Sequence, residues 1–191
     1  MGAKTPKTSD RRIRKTHRAL REALIALITE RGWDGFSVQD LCERADVGRS
    51  TFYLHFADKE DLLTGGLDEF RREIREQLAA LKTPSPPFAF ARAMIEHAWE
   101  NQQAFRALLG KGSGQVVLSR FRDLAVELVR DDLDGVNASK QRKGATTRFL
   151  AAGFLDLLAW GLEPGSAADP QELEQLFQRM ARPVLDQLKR A

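Results

Sequence analysis

Apolar residues recur at three- and four-residue spacing along most of this chain, the period of an α-helix that buries one face. Leu20, Ala23, Leu24 and Leu27 make one such stripe. Leu63, Leu67, Phe70, Ile74, Leu78 and Leu81 make a longer one, and Val117, Phe121, Leu124 and Leu128 a third. Leu173, Leu176, Phe177, Met180, Val184 and Leu188 make the last. From Phe149 to Leu162 the chain is apolar nearly all round, with Asp156 its one charge, so a helix there must be buried on most sides. No run of alternating β-branched residues marks a strand. The pattern predicts an all-α fold.

The stripes are separated by clear stops. Gly32 to Gly35 ends the first helix, and Thr83-Pro84-Ser85-Pro86-Pro87 ends the second long one, because proline lacks the N–H and restricts its predecessor. Gly110-Lys111-Gly112-Ser113-Gly114 reads as a flexible loop and Asp134–Lys143 as a polar, mobile connection. Glu163-Pro164-Gly165-Ser166 closes a helix. Asp169-Pro170-Gln171-Glu172 opens the next, with Asp as N-cap, Pro in the first turn and Glu three residues after the cap.

Between the first two stripes the pattern shortens. Ser37 with Asp40 makes a capping box, and a short helix runs to about Arg44. Ala45-Asp46-Val47-Gly48 is a tight turn, Arg49 to about His55 a second short helix, and Asp58 with Asp61 caps a third. Two short helices joined by such a turn make a helix-turn-helix. Val38, Leu41, Ala45, Val47, Phe52 and Phe56 would pack them on Leu20, Leu24 and Leu27, which leaves the polar start of the second helix outward.

Charge sharpens this picture. The 191 residues carry a net charge of only +3, but residues 1–21 hold eight Lys or Arg against one acid, Asp10. Residues 61–191 balance at 18 of each sign. A basic arm on a neutral body points to a polyanion partner. The outward residues suit a DNA groove. Arg49 can fork onto guanine, Ser50 and Thr51 allow close approach, and Tyr53 can meet a thymine methyl or a phosphate. His55 and Lys59 would lie near phosphates, and Arg11, Arg12, Arg14, Lys15 and Arg18 would add sequence-blind attraction. The expected DNA contacts are Arg11, Arg12, Ser37, Gly48, Arg49, Ser50, Thr51, Tyr53, His55 and Lys59.

Other chemistry finds little support. Cys42, the single cysteine, excludes an internal disulfide, favours a reducing compartment and reads as inert core. No apolar stretch is long enough to span a membrane, and the first residues lack a secretory core, so a cytoplasmic protein is expected. His17, His55 and His97 are too dispersed for a metal site. No nucleophile–base pair or phosphate loop stands at a usable spacing. Neither an enzyme nor a cofactor is expected.

Residues 13–63 closely resemble the N-terminal domain of the TetR family of transcription regulators. The matching residues include Ile13, Ala19, Leu24, Gly32, Phe36, Ser37, Val38, Leu41, Ala45, Val47, Thr51, Phe52, Tyr53, Phe56, Lys59, Leu62 and Leu63. Two positions depart from the family pattern. Asp46 stands where the family often has Gly, and Asp tolerates a left-handed backbone. Gly48 replaces a frequent Ser, which loses a side-chain cap worth a few tenths of a kcal/mol. The resemblance implies a homodimer, an inverted-repeat operator on double-stranded DNA and an all-α C-terminal domain that binds a small-molecule effector. The segments 101–109 and 149–162 resemble a subgroup that includes regulators of dihydroxyacetone kinase genes.

The expected organisation is a flexible basic arm over 1–10, a helix-turn-helix domain over 11–57, and a ligand-binding and dimerisation domain over 58–191. Phe149–Leu162 and the 170–189 helix would form half of a four-helix dimer contact. Its candidate residues are Phe149, Phe154, Leu158, Leu176, Phe177, Met180 and Val184. Candidates for an effector pocket are Phe70, Met94, His97, Trp99, Phe105, Phe121 and Trp160, each of which also fits plain core packing. The expected function is a repressor released from a palindromic operator by its effector. The alternative is a DNA-binding regulator whose C-terminal surface answers to a protein.

Overall fold

The computed structural model describes residues 6–80, 86–110, 114–166 and 168–190. Among these residues the chain forms nine α-helices and no strand, in agreement with the all-α pattern. They are α1 (Pro6–Arg31), α2 (Val38–Ala45), α3 (Arg49–Tyr53), α4 (Lys59–Ala79), α5 (Phe90–Glu100), α6 (Gln102–Gly110), α7 (Gln115–Leu133), α8 (Lys140–Gly161) and α9 (Pro170–Arg190). The basic segment expected as a flexible arm is helical from Pro6 onward, because α1 runs through it without a break. Residues 1–5, Leu81, Thr83–Ser85 and Lys111–Ser113 lie outside the described residues.

Local chemistry sets the helix ends. At the start of α9 the Asp169 carboxylate accepts from the N–H groups of Gln171 (2.7 Å) and Glu172 (3.0 Å). Ser139 caps α8, which begins nine residues before the apolar run that announced it. Phe88, fully buried, holds a left-handed φ of 61° just before α5. Two side chains fix this turn. The Phe88 N–H donates to Asp132 (3.0 Å), and Gln178 Nε2 donates to its carbonyl (3.1 Å).

Two hydrophobic cores result. The smaller gathers Leu20, Leu24, Leu27, Leu41, Phe52 and Phe56 beneath the helix-turn-helix. The larger joins Phe88, Phe90, Met94, Phe154 and Phe177 with the apolar faces of α7, α8 and α9. Helix α4 serves both, with Leu62 and Leu63 in the first and Ile74 in the second. Ala104 and Leu108 of α6 and Val117 of α7 also enter the smaller core. The helix-turn-helix head is therefore built partly from residues far along the chain, and the division at 57/58 cuts through a shared core.

Candidate nucleic-acid interface

The head is shaped by short-range bonds. Ser37 N–H donates to Asp40 (2.8 Å) and the Asp40 N–H donates back to Ser37 Oγ (3.2 Å), the capping box that starts α2. Arg31 adds a bond to the same carboxylate (2.9 Å). The bonds from Ser37, and then that from Arg31, hold the Asp40 carboxyl at about 2. The Ser37 hydroxyl is thus engaged in the cap, although the residue is exposed. Arg44 grips Glu30 of α1 through two guanidinium bonds of 2.7 and 3.2 Å. Asp46 takes φ 52° and ψ 45°, the left-handed turn that an aspartate tolerates, and its N–H reaches back to the end of α2.

Gly48 is the N-cap of helix α3 and offers no side-chain bond. Phe52 is fully buried and sets the rotation of the helix. Arg49, Ser50, Tyr53 and Leu54 consequently point to solvent, while Thr51 is half-buried. Arg49 makes no ion pair among the described residues. Tyr53 is held by the edge of Phe52, with ring centroids 5.3 Å apart. Leu54 escaped the sequence reading, because an apolar residue between Tyr53 and His55 looks like core.

Two expected phosphate contacts sit elsewhere. Lys59 turns inward, and Nζ donates to the carbonyls of Trp33 (2.7 Å) and Phe36 (2.9 Å). Its ammonium also lies over both aromatic rings, 4.8 and 4.5 Å from their centroids. Burial pushes its pKa down, against the pull of Asp34. Lys59 is therefore a tie between the first turn of α4 and the connection between α1 and α2. His55 is half-buried and packs edge-on against His17 of α1, 4.9 Å between centroids. That contact sets the end of α3 beside α1. Arg11, Arg12, Arg14 and Lys15, all exposed, lie roughly 3–9 Å further along the α1 axis at 1.5 Å per residue.

Residues 20–64 match the family profile of bacterial regulatory proteins of the tetR type. Residues 20–64 are thus a TetR-family N-terminal domain. The chain is similar to an uncharacterized HTH-type transcriptional regulator of Bacillus subtilis strain 168, YxbF, 26% identical over 178 residues. That match takes in 90% of this chain but only 46% of the Bacillus protein, so the chain spans about half of that relative's length. A TetR transcriptional regulator from Streptococcus agalactiae 2603V superposes with a TM-score of 0.64 at 26% identity, covering 93% of this chain and 99% of that one. The dihydroxyacetone kinase operon activator DhaS shares the fold, with a TM-score of 0.56 at 20% identity over 91% of this chain and 96% of its own.

The C-terminal body places the remaining candidates differently from one another. A groove of about 620 Å³ opens between α6, α7 and α8. Phe105 and Phe121 line it edge to face, 5.0 Å apart, together with Phe149, Leu158, Arg122 and Asp156. The other pocket candidates lie outside that lining. Met94 is fully buried core, Phe70 and His97 face each other at 4.3 Å, and Trp160 is half exposed at the end of α8, beside Leu173 and Leu176 of α9. Trp99 lies against the end of α8, where a Cβ on Gly161 would come within 2.9 Å of its ring.

The interface candidates divide as well. Phe149 (66%) and Met180 (60%) are exposed, while Leu176 and Val184 are half-buried. Phe154, Leu158 and Phe177 are buried within the chain's own core, Phe154 and Phe177 at 4.9 Å from each other. Trp160, expected in the pocket, stands exposed on the α8 surface, and nothing lies near Gly153. Among the described residues no helix is long and apolar enough to cross a membrane.

Proposed function

We propose that this chain binds double-stranded DNA as a homodimer and represses transcription from a palindromic operator until a small-molecule effector releases it. The observation that carries this reading is the outward strip of α3. Phe52 pins it, Arg49, Ser50 and Tyr53 project from it, and the basic turns of α1 stand beside its end. Arg49 reads a base edge, and Arg11 and Arg12 meet phosphates. Exposed Trp160 and Met180 support a dimer built on α8 and α9. A pair of half-sites then presents the spacing that two heads require.

The groove supports the effector. Its wall is α7, and the far side of α7 is tied to α4 by Arg120 to Glu60 (2.6 Å) and Arg75 to Asp131 (2.9 Å). A ligand that shifts α7 drags α4 and changes the separation of the heads. The groove is open to solvent along Phe149, which favours a second reading in which a protein segment fills it. A small molecule that co-purifies with the chain would decide against that.

Selection of bound sequences from a random DNA pool tests the first reading. A palindromic consensus is expected, and no enrichment overturns it. Arg49→Ala should then cost about 1–3 kcal/mol at one base position, whereas uniform loss across sequences would make Arg49 a phosphate contact. Met180→Glu should turn a dimer into a monomer in sedimentation and abolish preference for paired half-sites.

A further inference from the structure

One side chain on the α3 strip has no polar role. Leu54 is 80% exposed, more than any other large hydrophobic residue among those described. It follows Tyr53, itself 51% exposed, and lies one turn beyond Ser50. Residues three and four apart share a helix face, so Ser50, Tyr53 and Leu54 form one outward ridge. Because Phe52 fills the core below, the ridge cannot rotate to bury the leucine. Leu54 therefore contributes nothing to the head's own packing, and its burial waits for whatever docks on α3.

We propose that Leu54 is a specificity-determining residue that packs on the C5 methyl of one thymine in each half-site. The inference rests on the DNA-binding reading above. Among the base edges in the major groove, thymine alone presents an apolar group. At any other base Leu54 would cover a donor or acceptor and offer it no bond, which is unfavourable. The leucine thus rewards thymine and penalises its alternatives at one position. Its polar neighbours Arg49 and Ser50 read or fit the adjacent ones. A place against deoxyribose would bury the same side chain without reading sequence, and the test separates the two.

The site selected by the parent chain is remade with each thymine in turn replaced by deoxyuridine, which removes the C5 methyl and leaves every hydrogen bond. Affinities are measured for the parent and for Leu54→Ala, whose exposed position leaves the fold unchanged in a melting curve. At one thymine per half-site the parent should lose roughly fourfold, the value of one buried methyl. Leu54→Ala should bind the two forms equally there while keeping the parent's response elsewhere. An equal loss for Leu54→Ala on both forms puts the side chain on the sugar and overturns the proposal, as does a selected site with no methyl-sensitive thymine. If the parent selects no sequence, the DNA-binding reading itself fails and Leu54 loses its role with it.

Discussion

The head and the body of this protein are held by different forces. In the head, helices of five and eight residues are too short to stand alone, and polar bonds to the backbone fix their ends. Ser37 with Asp40, Asp61 with the Ala57 N–H, and Lys59 with two carbonyls do this work around a modest core. In the body, helices of 19 to 22 residues pack long apolar faces around Phe88, Phe90, Phe154 and Phe177. A head built on directional bonds keeps its outward residues at fixed angles, as reading bases requires. A body built on broad apolar contacts is where the proposed effector would act, by shifting one packed helix against another. Helix α4 belongs to both cores, and α6 and α7 reach into the head, so neither part moves without the other.

The largest expected effects test that sharing. Phe52→Ala in the head and Phe154→Ala in the body each remove a fully buried ring, at about 3–5 kcal/mol. For a chain of this size the melting temperature should fall on the order of 10 °C in each case. Because Ala104, Leu108 and Val117 complete the head core, calorimetry should show one transition for both variants. A separate early transition for Phe52→Ala would make the head an independent unit and break the comparison.

The same contrast explains what could be read from sequence. In the head, the capping box, the left-handed Asp46 and the buried Phe52 each follow from neighbours a few residues away. The helix-turn-helix and its outward face were legible for that reason. Lys59 was not, because its partners Trp33 and Phe36 lie 26 and 23 residues back and nothing local reveals that their carbonyls lack donors. In the body, the run from Phe149 to Leu162 is apolar nearly all round, so sequence could not choose its buried face. Phe149 and Phe154 are five positions apart, which turns them about 140° from each other on a helix. One faces solvent at the groove and the other the core.

Lys59 offers an intermediate effect that sharpens the head's side of the comparison. Lys59→Met keeps the stem over the rings of Trp33 and Phe36 but leaves both carbonyls without their donor. It should cost about 1–3 kcal/mol of stability in a denaturant melt. The dependence of DNA affinity on salt should keep the parent's slope, since the ammonium is engaged by the two carbonyls. A slope lowered by about one would instead return Lys59 to the DNA surface.

The smallest effect concerns the join between α1 and the end of α3. His17 packs against His55 and Phe56, and its Nε2 is shielded without a hydrogen-bond partner. The charged groups facing it are Arg21 on its own helix, which pairs with Glu69 of α4, and His55 from the turn. Burial, then His55 and Arg21, push the His17 pKa below its ordinary value of 6.5, and Glu69 opposes them. The unfolded chain therefore binds this proton more readily than the folded one. Its contribution to stability is complete above about pH 6.5 and is lost as the pH falls through that value toward the lower folded pKa. Melting temperatures from pH 8 to 5 should drop further for the parent than for His17→Phe, which keeps a ring but cannot take up the proton. Parallel curves for the two proteins would mean that the acid sensitivity of the fold arises elsewhere. A steeper fall in the parent would show that the polar ties of the head meet, at α1, one contact that works only while it is uncharged.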